Sequence, residues 1–153
     1  MQSRLSRLQK EGYLVIVEDD ADDRLLLQQV FNDLKWEQQV MILNGSEALL
    51  YLLEAIPNNS LLPSLIVLDY NMPPLSGEAT LLMLKKDKRF EHIPVSIYST
   101  CMDHRRENLL KVLGAFSCRK KPDTIAGLKE LMFEYKRFAQ QLWYDKEQTG
   151  LFL

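Results

Sequence analysis

Cysteine is nearly absent from this chain of 153 residues: only Cys101 and Cys118 occur. They form no metal-type pair, and His92 and His104 have no carboxylate or cysteine partner at ligand spacing, so both histidines read as surface residues and a zinc motif is excluded. A thiol-reduced, cytoplasmic setting is the expectation. Long apolar runs are missing as well. No stretch approaches the length that spans a bilayer, and no apolar segment follows the opening basic residues as a signal peptide would require. Charge of one sign is not in excess: 19 basic residues face 21 acidic ones, for a net charge of -2. That balance provides no global field to attract nucleic acid or an anionic membrane, and any partner must be recognised locally. Length leaves no room for a second domain, whereas 46% hydrophobic and 26% charged residues suit one well-packed unit.

What the chain does contain is an alternation. "GYLVIV" from Gly12 to Val17 is a short β-branched run that stops at Glu18, Asp19 and Asp20. Leu27, Val30, Phe31 and Leu34 follow at helical spacing, behind a helix-start pair of Asp20 and Asp23. "QVMIL" (39–43) predicts a second strand, and Asn44 with Glu47 opens a second helix with Leu49, Leu52, Leu53 and Ile56 on one face. "SLIVLD", "GEATLLMLKKD", "PVSIYS" and "RRENLLKVLG" continue the series, the last ended by Gly114. "AFSCRKK" predicts the fifth strand. Pro122 and Asp123 then start a long helix to about Trp143, with Ile125, Leu128, Met132 and Tyr135 as its buried stripe.

Five strands alternating with five helices predict a doubly wound α/β fold, with a parallel sheet covered by helices on both faces. The flavodoxin-like order 2-1-3-4-5 makes the first and third strands neighbours. Ligands of open α/β sheets sit outside the carboxyl ends of the strands at the switch point, which places Glu18, Asp19 and Asp69 together. Three clustered carboxylates repel one another, and oxygen-only ligands favour Mg²⁺ or a similar cation. Ser99 ends the fourth strand and Lys121 the fifth, adding a hydroxyl and an ammonium. An acid cluster with a metal, a lysine and a hydroxyl around one further carboxylate is the equipment for phosphoryl transfer to that carboxylate.

"VEDD", "LDYNMPPLSG", "YST" and "KKP", in this order and spacing, resemble the receiver domain of two-component response regulators, in the stand-alone form of the chemotaxis receiver. The most specific part is the D-x-x-M-P-x-x-x-G pattern from Asp69 to Gly77, joined by Lys121-Pro122. The resemblance covers Gly12 to Trp143. It divides the chain into an N-terminal extension (1–11), a receiver (12–143) and a C-terminal tail (144–153), and it implies several roles. Asp69 accepts a phosphoryl group from a histidine kinase or phosphotransfer protein. Glu18, Asp19, Asp69 and the backbone carbonyl of Asn71 hold Mg²⁺, Glu18 or Asp19 partly through water. Ser99 is the switch hydroxyl and Lys121 pairs with the phosphate. The chain is then no enzyme beyond Mg²⁺-dependent self-phosphorylation and self-dephosphorylation, and the bond before Pro122 is commonly cis in this family. Output goes to an unknown downstream protein through helix four, strand five and helix five, with a second copy of the chain as one candidate. Leu5, Leu8 and the terminal "GLFL" are candidates for packing on the domain or on that copy.

The sequence also departs from the family pattern. Cys118 stands where many receivers carry the aromatic that turns inward on activation. Strand alternation puts Phe116 on the face of Cys118, and Tyr98 precedes Ser99, so these two are the candidate substitutes. Thr100 is bulkier than the small residue that often follows the switch hydroxyl. Three other readings share parts of the pattern. A flavodoxin-like nucleotide binder needs a glycine- or hydroxyl-rich loop where "EDDADD" stands, and a haloacid-dehalogenase-type phosphotransferase needs a second acid where Asn71 stands. A phosphorylation-independent interaction module on the same fold is the third.

Overall fold

The computed structural model describes residues 12–150. Strands β1 (Leu14–Val17), β2 (Val40–Leu43), β3 (Leu65–Asp69), β4 (Val95–Ser99) and β5 (Ser117–Lys120) alternate with helices α1 (Ala21–Asp33), α2 (Ser46–Ala55), α3 (Gly77–Lys86), α4 (His104–Val112) and α5 (Ile125–Thr149). The strands form one parallel sheet in the order β2-β1-β3-β4-β5. This is the flavodoxin-like architecture and order that the alternation predicts.

The three central strands are buried throughout because both of their faces are covered. Tyr13, Val15, Val17, Ile66, Leu68, Val95 and Ile97 point into one core, closed by Leu49, Leu52 and Leu53 of α2, Leu81 and Leu84 of α3 and Leu110 of α4. Leu14, Ile16, Leu65, Val67 and Tyr98 point into the other, closed by α1 (Leu27, Val30, Phe31) and α5 (Leu128, Leu131, Met132, Tyr135, Ala139). Four helices begin on a side-chain cap: Asp20 accepts from the Asp23 N–H, Ser76 from Ala79, Asp103 from Arg106 and Thr124 from Gly127. These caps fix where the chain turns from a strand end into the next helix. Among the described residues no helix is long and apolar enough to cross a membrane.

Several expectations are corrected. The last helix is capped by Thr124 rather than started by Pro122, and it continues past Trp143 to Thr149, where Gly150 at φ 67° ends it. Residues 144–149 carry no apolar stripe to reveal this. Local bonds support the extra turns, from Gln141 to the Asp145 carboxylate and from the Thr149 hydroxyl to the Asp145 carbonyl. Ile125, in the first turn, is exposed, and the buried stripe begins at Leu128. The second helix starts at Ser46 after Gly45, and Ile56 falls just beyond its end. Phe116 lies before the first residue of β5, so strand alternation does not extend to it. It packs edge-on against Phe138 of α5, with ring centroids 5.8 Å apart, while Cys118 points into the opposite core. The bond before Pro122 is trans, and the cis bond among the described residues joins Pro73 to Pro74. A proline amide tolerates either isomer. Here Lys121 N–H prolongs the β4–β5 pairing to the Ser99 carbonyl at 2.8 Å, and the trans chain runs on to the Thr124 cap. Leu5, Leu8 and the last three residues lie outside the described residues.

Candidate functional site

The site grows from four strand ends. β1 and β3 are neighbours in register, Val17 opposite Leu68, so the residues that follow Val17 emerge beside Asp69. Glu18, Asp19 and Asp69 each offer one carboxylate oxygen within 4.8 Å of the others. β5 ends one residue before Lys121, whose Nζ reaches Glu18 Oε2 at 2.8 Å, Asp69 Oδ2 at 3.1 Å and Asp23 Oδ2 at 3.6 Å. Two of the acids are thus bridged by one ammonium. Ser99 is fully buried and stands one residue beyond Tyr98, the register partner of Asp69. Its Oγ accepts from the Cys101 N–H at 3.2 Å. Asn71 turns its N–H to Asp69 Oδ1 at 3.2 Å.

Burial raises the Asp69 pKa, and the neighbouring Glu18 charge raises it further, to about 6 against the pull of Lys121. Glu18 moves the other way. Burial would push it up, but hydrogen bonds from Lys121 and Tyr98 outweigh burial and hold it below the ordinary carboxylate range. Lys121 loses hydration, yet its two carboxylate partners keep it more firmly protonated than a free lysine. One ammonium does not neutralise the cluster, and the Asp19 carboxylate has no protein hydrogen bond or ion pair among the described residues. The donor set fits a hard divalent cation: oxygen ligands only, excess negative charge, and one acid left unpaired.

The loops around these acids are braced by residues that the sequence reading missed. Arg24, in the first turn of α1, donates from Nη1 to the carbonyls of Glu18 (3.0 Å) and Asp19 (2.6 Å) and so holds the acidic loop in place. Arg106 of α4 lies 4.4 Å from the ring centroid of Tyr70, the residue after Asp69, and also hydrogen-bonds the Cys101 carbonyl. Ser46 and Thr80 share a buried 2.6 Å hydrogen bond, with Ser46 also reaching the Leu75 carbonyl behind the proline loop. Tyr98 donates its hydroxyl to Glu18 Oε2 at 2.7 Å. It faces the α1–α5 core, so neither Tyr98 nor Phe116 occupies the space beside Cys118. Only Tyr98 left a signal in the sequence, a bulky hydroxyl-bearing ring within a buried strand that needs a partner. Arg24 and Arg106 read as ordinary surface charges.

The architecture is shared with solved structures at levels of identity that speak for the fold alone. The Mn²⁺-bound form of response regulator Rcp1 superposes with a TM-score of 0.69 at 24% identity, covering 84% of this chain and 94% of that one. The phosphorylated cyanobacterial phytochrome response regulator RcpA gives 0.71 at 22% identity over the same shares. In sequence, response regulator Rcp1 of Synechocystis sp. is 28% identical over 99 residues, which are 63% of this chain and 66% of that protein. The family model of the response regulator receiver domain matches residues 14–132, from the first residue of β1 into α5, and the chain therefore belongs to the receiver domain family of two-component signalling.

Proposed function

We propose that this receiver takes a phosphoryl group on Asp69, with Mg²⁺ held by Glu18, Asp19, Asp69 and the Asn71 carbonyl, and signals through protein contact. The observation that carries this reading is the bridging of Glu18 and Asp69 by Lys121 at 2.8 and 3.1 Å, beside an acid, Asp19, with no protein partner among the described residues. Asp69 is buried at the end of β3, its Oδ2 accepts from Lys121, and the N–H contact from Asn71 keeps Oδ1 oriented. A phosphohistidine of a histidine kinase or phosphotransfer protein is the donor. An Asp69 oxygen attacks phosphorus, the P–N bond breaks, and the imidazole nitrogen leaves with the electron pair. The cation, when bound, neutralises charge on the phosphoryl oxygens. Lys121 transfers its ammonium from Asp69 to a phosphoryl oxygen, and Ser99 donates its hydroxyl to another. Asp69 must be deprotonated to act, and the cation favours that form.

Output through α4, β5 and α5 is supported by the apolar side chains exposed there, Leu109, Val112, Phe116 and Phe133. Either a downstream protein or a second copy of the chain would cover them. The test is intact-mass analysis after incubation with acetyl phosphate and Mg²⁺. One added phosphoryl group is expected, labile to mild base and absent in Asp69→Asn. A base-stable product, or label retained in that variant, overturns the assignment. Unchanged partner binding in Asp69→Asn would favour the phosphorylation-independent module instead.

A further inference from the structure

We propose that Tyr98 is the positioning residue of this site: its hydroxyl fixes the Glu18 carboxylate and its ring seats the Lys121 ammonium, so one side chain presets two of the groups that flank Asp69. The inference rests on the metal reading of the acid cluster given above.

Tyr98 lies directly opposite Asp69 in the β3–β4 register and is 2% exposed, among the apolar side chains of α1 and α5. A phenol hydroxyl buried there without a partner would cost about 1–3 kcal/mol. Its partner is Glu18 Oε2 at 2.7 Å. Glu18 is itself 1% exposed, and three donors from three separate segments determine its orientation. Tyr98 and Lys121 both donate to Oε2, and the Asp20 N–H approaches Oε1 at 3.2 Å. Of the two side-chain donors, Tyr98 is the neutral one. A lysine ammonium repels a bound cation and is also required at the phosphoryl group. When Lys121 swings to that group, Tyr98 is the side-chain donor that still holds Glu18. Lys121 Nζ lies 4.6 Å from the Tyr98 ring centroid, so the ring forms a wall against which the ammonium rests. An aliphatic residue at position 98 would be apolar enough for the core and do neither.

The test uses the full chain with Mn²⁺ as the probe, free ion being counted by electron paramagnetic resonance. Tyr98→Phe keeps the ring and loses the hydroxyl, and it should weaken Mn²⁺ binding about tenfold, as losses of groups that orient a ligand do. In a Glu18→Ala background the same change should alter affinity less than about twofold, because the residue through which Tyr98 acts is gone. Parent-like affinity in Tyr98→Phe overturns the proposal, and so does an equal loss in the Glu18→Ala background. Asp19→Ala serves as the control for the site itself. If it binds Mn²⁺ like the parent, the acid-cluster reading fails and the proposal with it, whereas loss in Asp19→Ala without loss in Tyr98→Phe sinks the Tyr98 role alone. Tyr98→Leu tests the ring. The Lys121 ε-methylene protons, shielded by the ring in the parent and in Tyr98→Phe, should move to ordinary resonance positions in Tyr98→Leu. No movement there overturns the seating of Lys121.

Discussion

Gly77 and Asp69 meet through their backbones. A Cβ at position 77 would overlap the Asp69 carbonyl oxygen and stand 3.0 Å from the Asp69 carbonyl carbon and from Tyr70 Cα, while the Gly77 N–H donates to the Tyr70 carbonyl at 3.0 Å. The loop from Asp69 through the two prolines therefore folds back until the first residue of α3 packs against the end of β3. Only a residue without a side chain permits that approach, which gives the glycine of the D-x-x-M-P-x-x-x-G pattern a physical reason. Gly77→Ala should destabilise the protein by about 1–3 kcal/mol, the usual cost of overpacking. It should also slow labelling by acetyl phosphate, because relief of the clash moves Asp69. Urea denaturation with intact-mass kinetics checks both. An unchanged midpoint would show that the loop yields without cost.

Asp69 is a destabilising charge in the absence of metal. Its pKa in the folded protein, about 6, is raised chiefly by burial and then by Glu18, so the folded state holds the proton more tightly than the unfolded chain does. The penalty is absent below the ordinary carboxylate pKa, develops as pH rises, and is complete once pH has passed about 6. Asp69→Asn removes the charge at constant shape, and at pH 7.5 in chelator it should be more stable than the parent by up to roughly 3 kcal/mol, two units at 1.36 kcal/mol each. That gain should vanish near pH 4. Urea melts at the two pH values measure it. A variant less stable than the parent at pH 7.5 would mean that the Lys121 contact outweighs burial.

How much of this was legible in the sequence depends on whether a feature is local. β1 and β3 were legible because burial on both faces makes them nearly continuous apolar runs, β4 because its β-branched and aromatic residues stand between a proline and a polar loop, and the ends of these strands mark the sheet edge at which Glu18, Asp69, Ser99 and Lys121 stand. Phe116 was misplaced because alternation holds only within a strand, and β5 begins at Ser117 although the Phe116 N–H still reaches the Val95 carbonyl at 2.7 Å. The end of α5 was missed because its last turns cover no core. The bond from Tyr98 to Glu18 joins residues 80 positions apart, and the reach of Arg24 to two carbonyls depends on the path of the loop. Neither leaves a periodic or compositional trace.

Asp19 should dominate metal affinity over Glu18. Three donors already hold the Glu18 oxygens, whereas the Asp19 carboxylate has no protein partner among the described residues and is braced only through its backbone, by Arg24. Asp19→Ala should weaken Mg²⁺ by more than about a hundredfold, and Glu18→Ala by roughly ten- to a hundredfold, the range for groups that act partly by orienting others. Isothermal titration at pH 7.5 decides the order. Below about pH 6 the parent should bind more weakly still, because protonation of Asp69 would remove a ligand, and in Glu18→Ala, which lacks a charge that raises the Asp69 pKa, that weakening should begin at lower pH. A larger loss in Glu18→Ala than in Asp19→Ala would mean that the cation sits on the Tyr98 side of the cluster.

Cys118 is a small buried side chain opposite Ile97, and the two aromatic candidates for its missing ring are engaged elsewhere, Phe116 with Phe138 and Tyr98 with Glu18. Neither of these two rings is placed to fill the space that Ser99 would vacate on moving to a phosphoryl oxygen. The segment able to respond is the loop after β4, where the Cys101 N–H donates to Ser99 Oγ and Arg106 ties the Cys101 carbonyl to the Tyr70 ring. On the phosphoryl reading, movement of Ser99 would break the first contact and load the second, so the loop and α4 should shift together. Cys118→Ala should then leave phosphorylation-dependent changes nearly intact. Ser99→Ala should still be phosphorylated but uncoupled, and Arg106→Ala should reduce the response of α4 while sparing Asp69 labelling. Amide shifts on α4 and β5, recorded with and without beryllofluoride as the acyl phosphate mimic, separate these outcomes. Equal loss of response in Cys118→Ala and Ser99→Ala would make Cys118 part of the switch. A full response in Arg106→Ala would remove the loop latch from the mechanism.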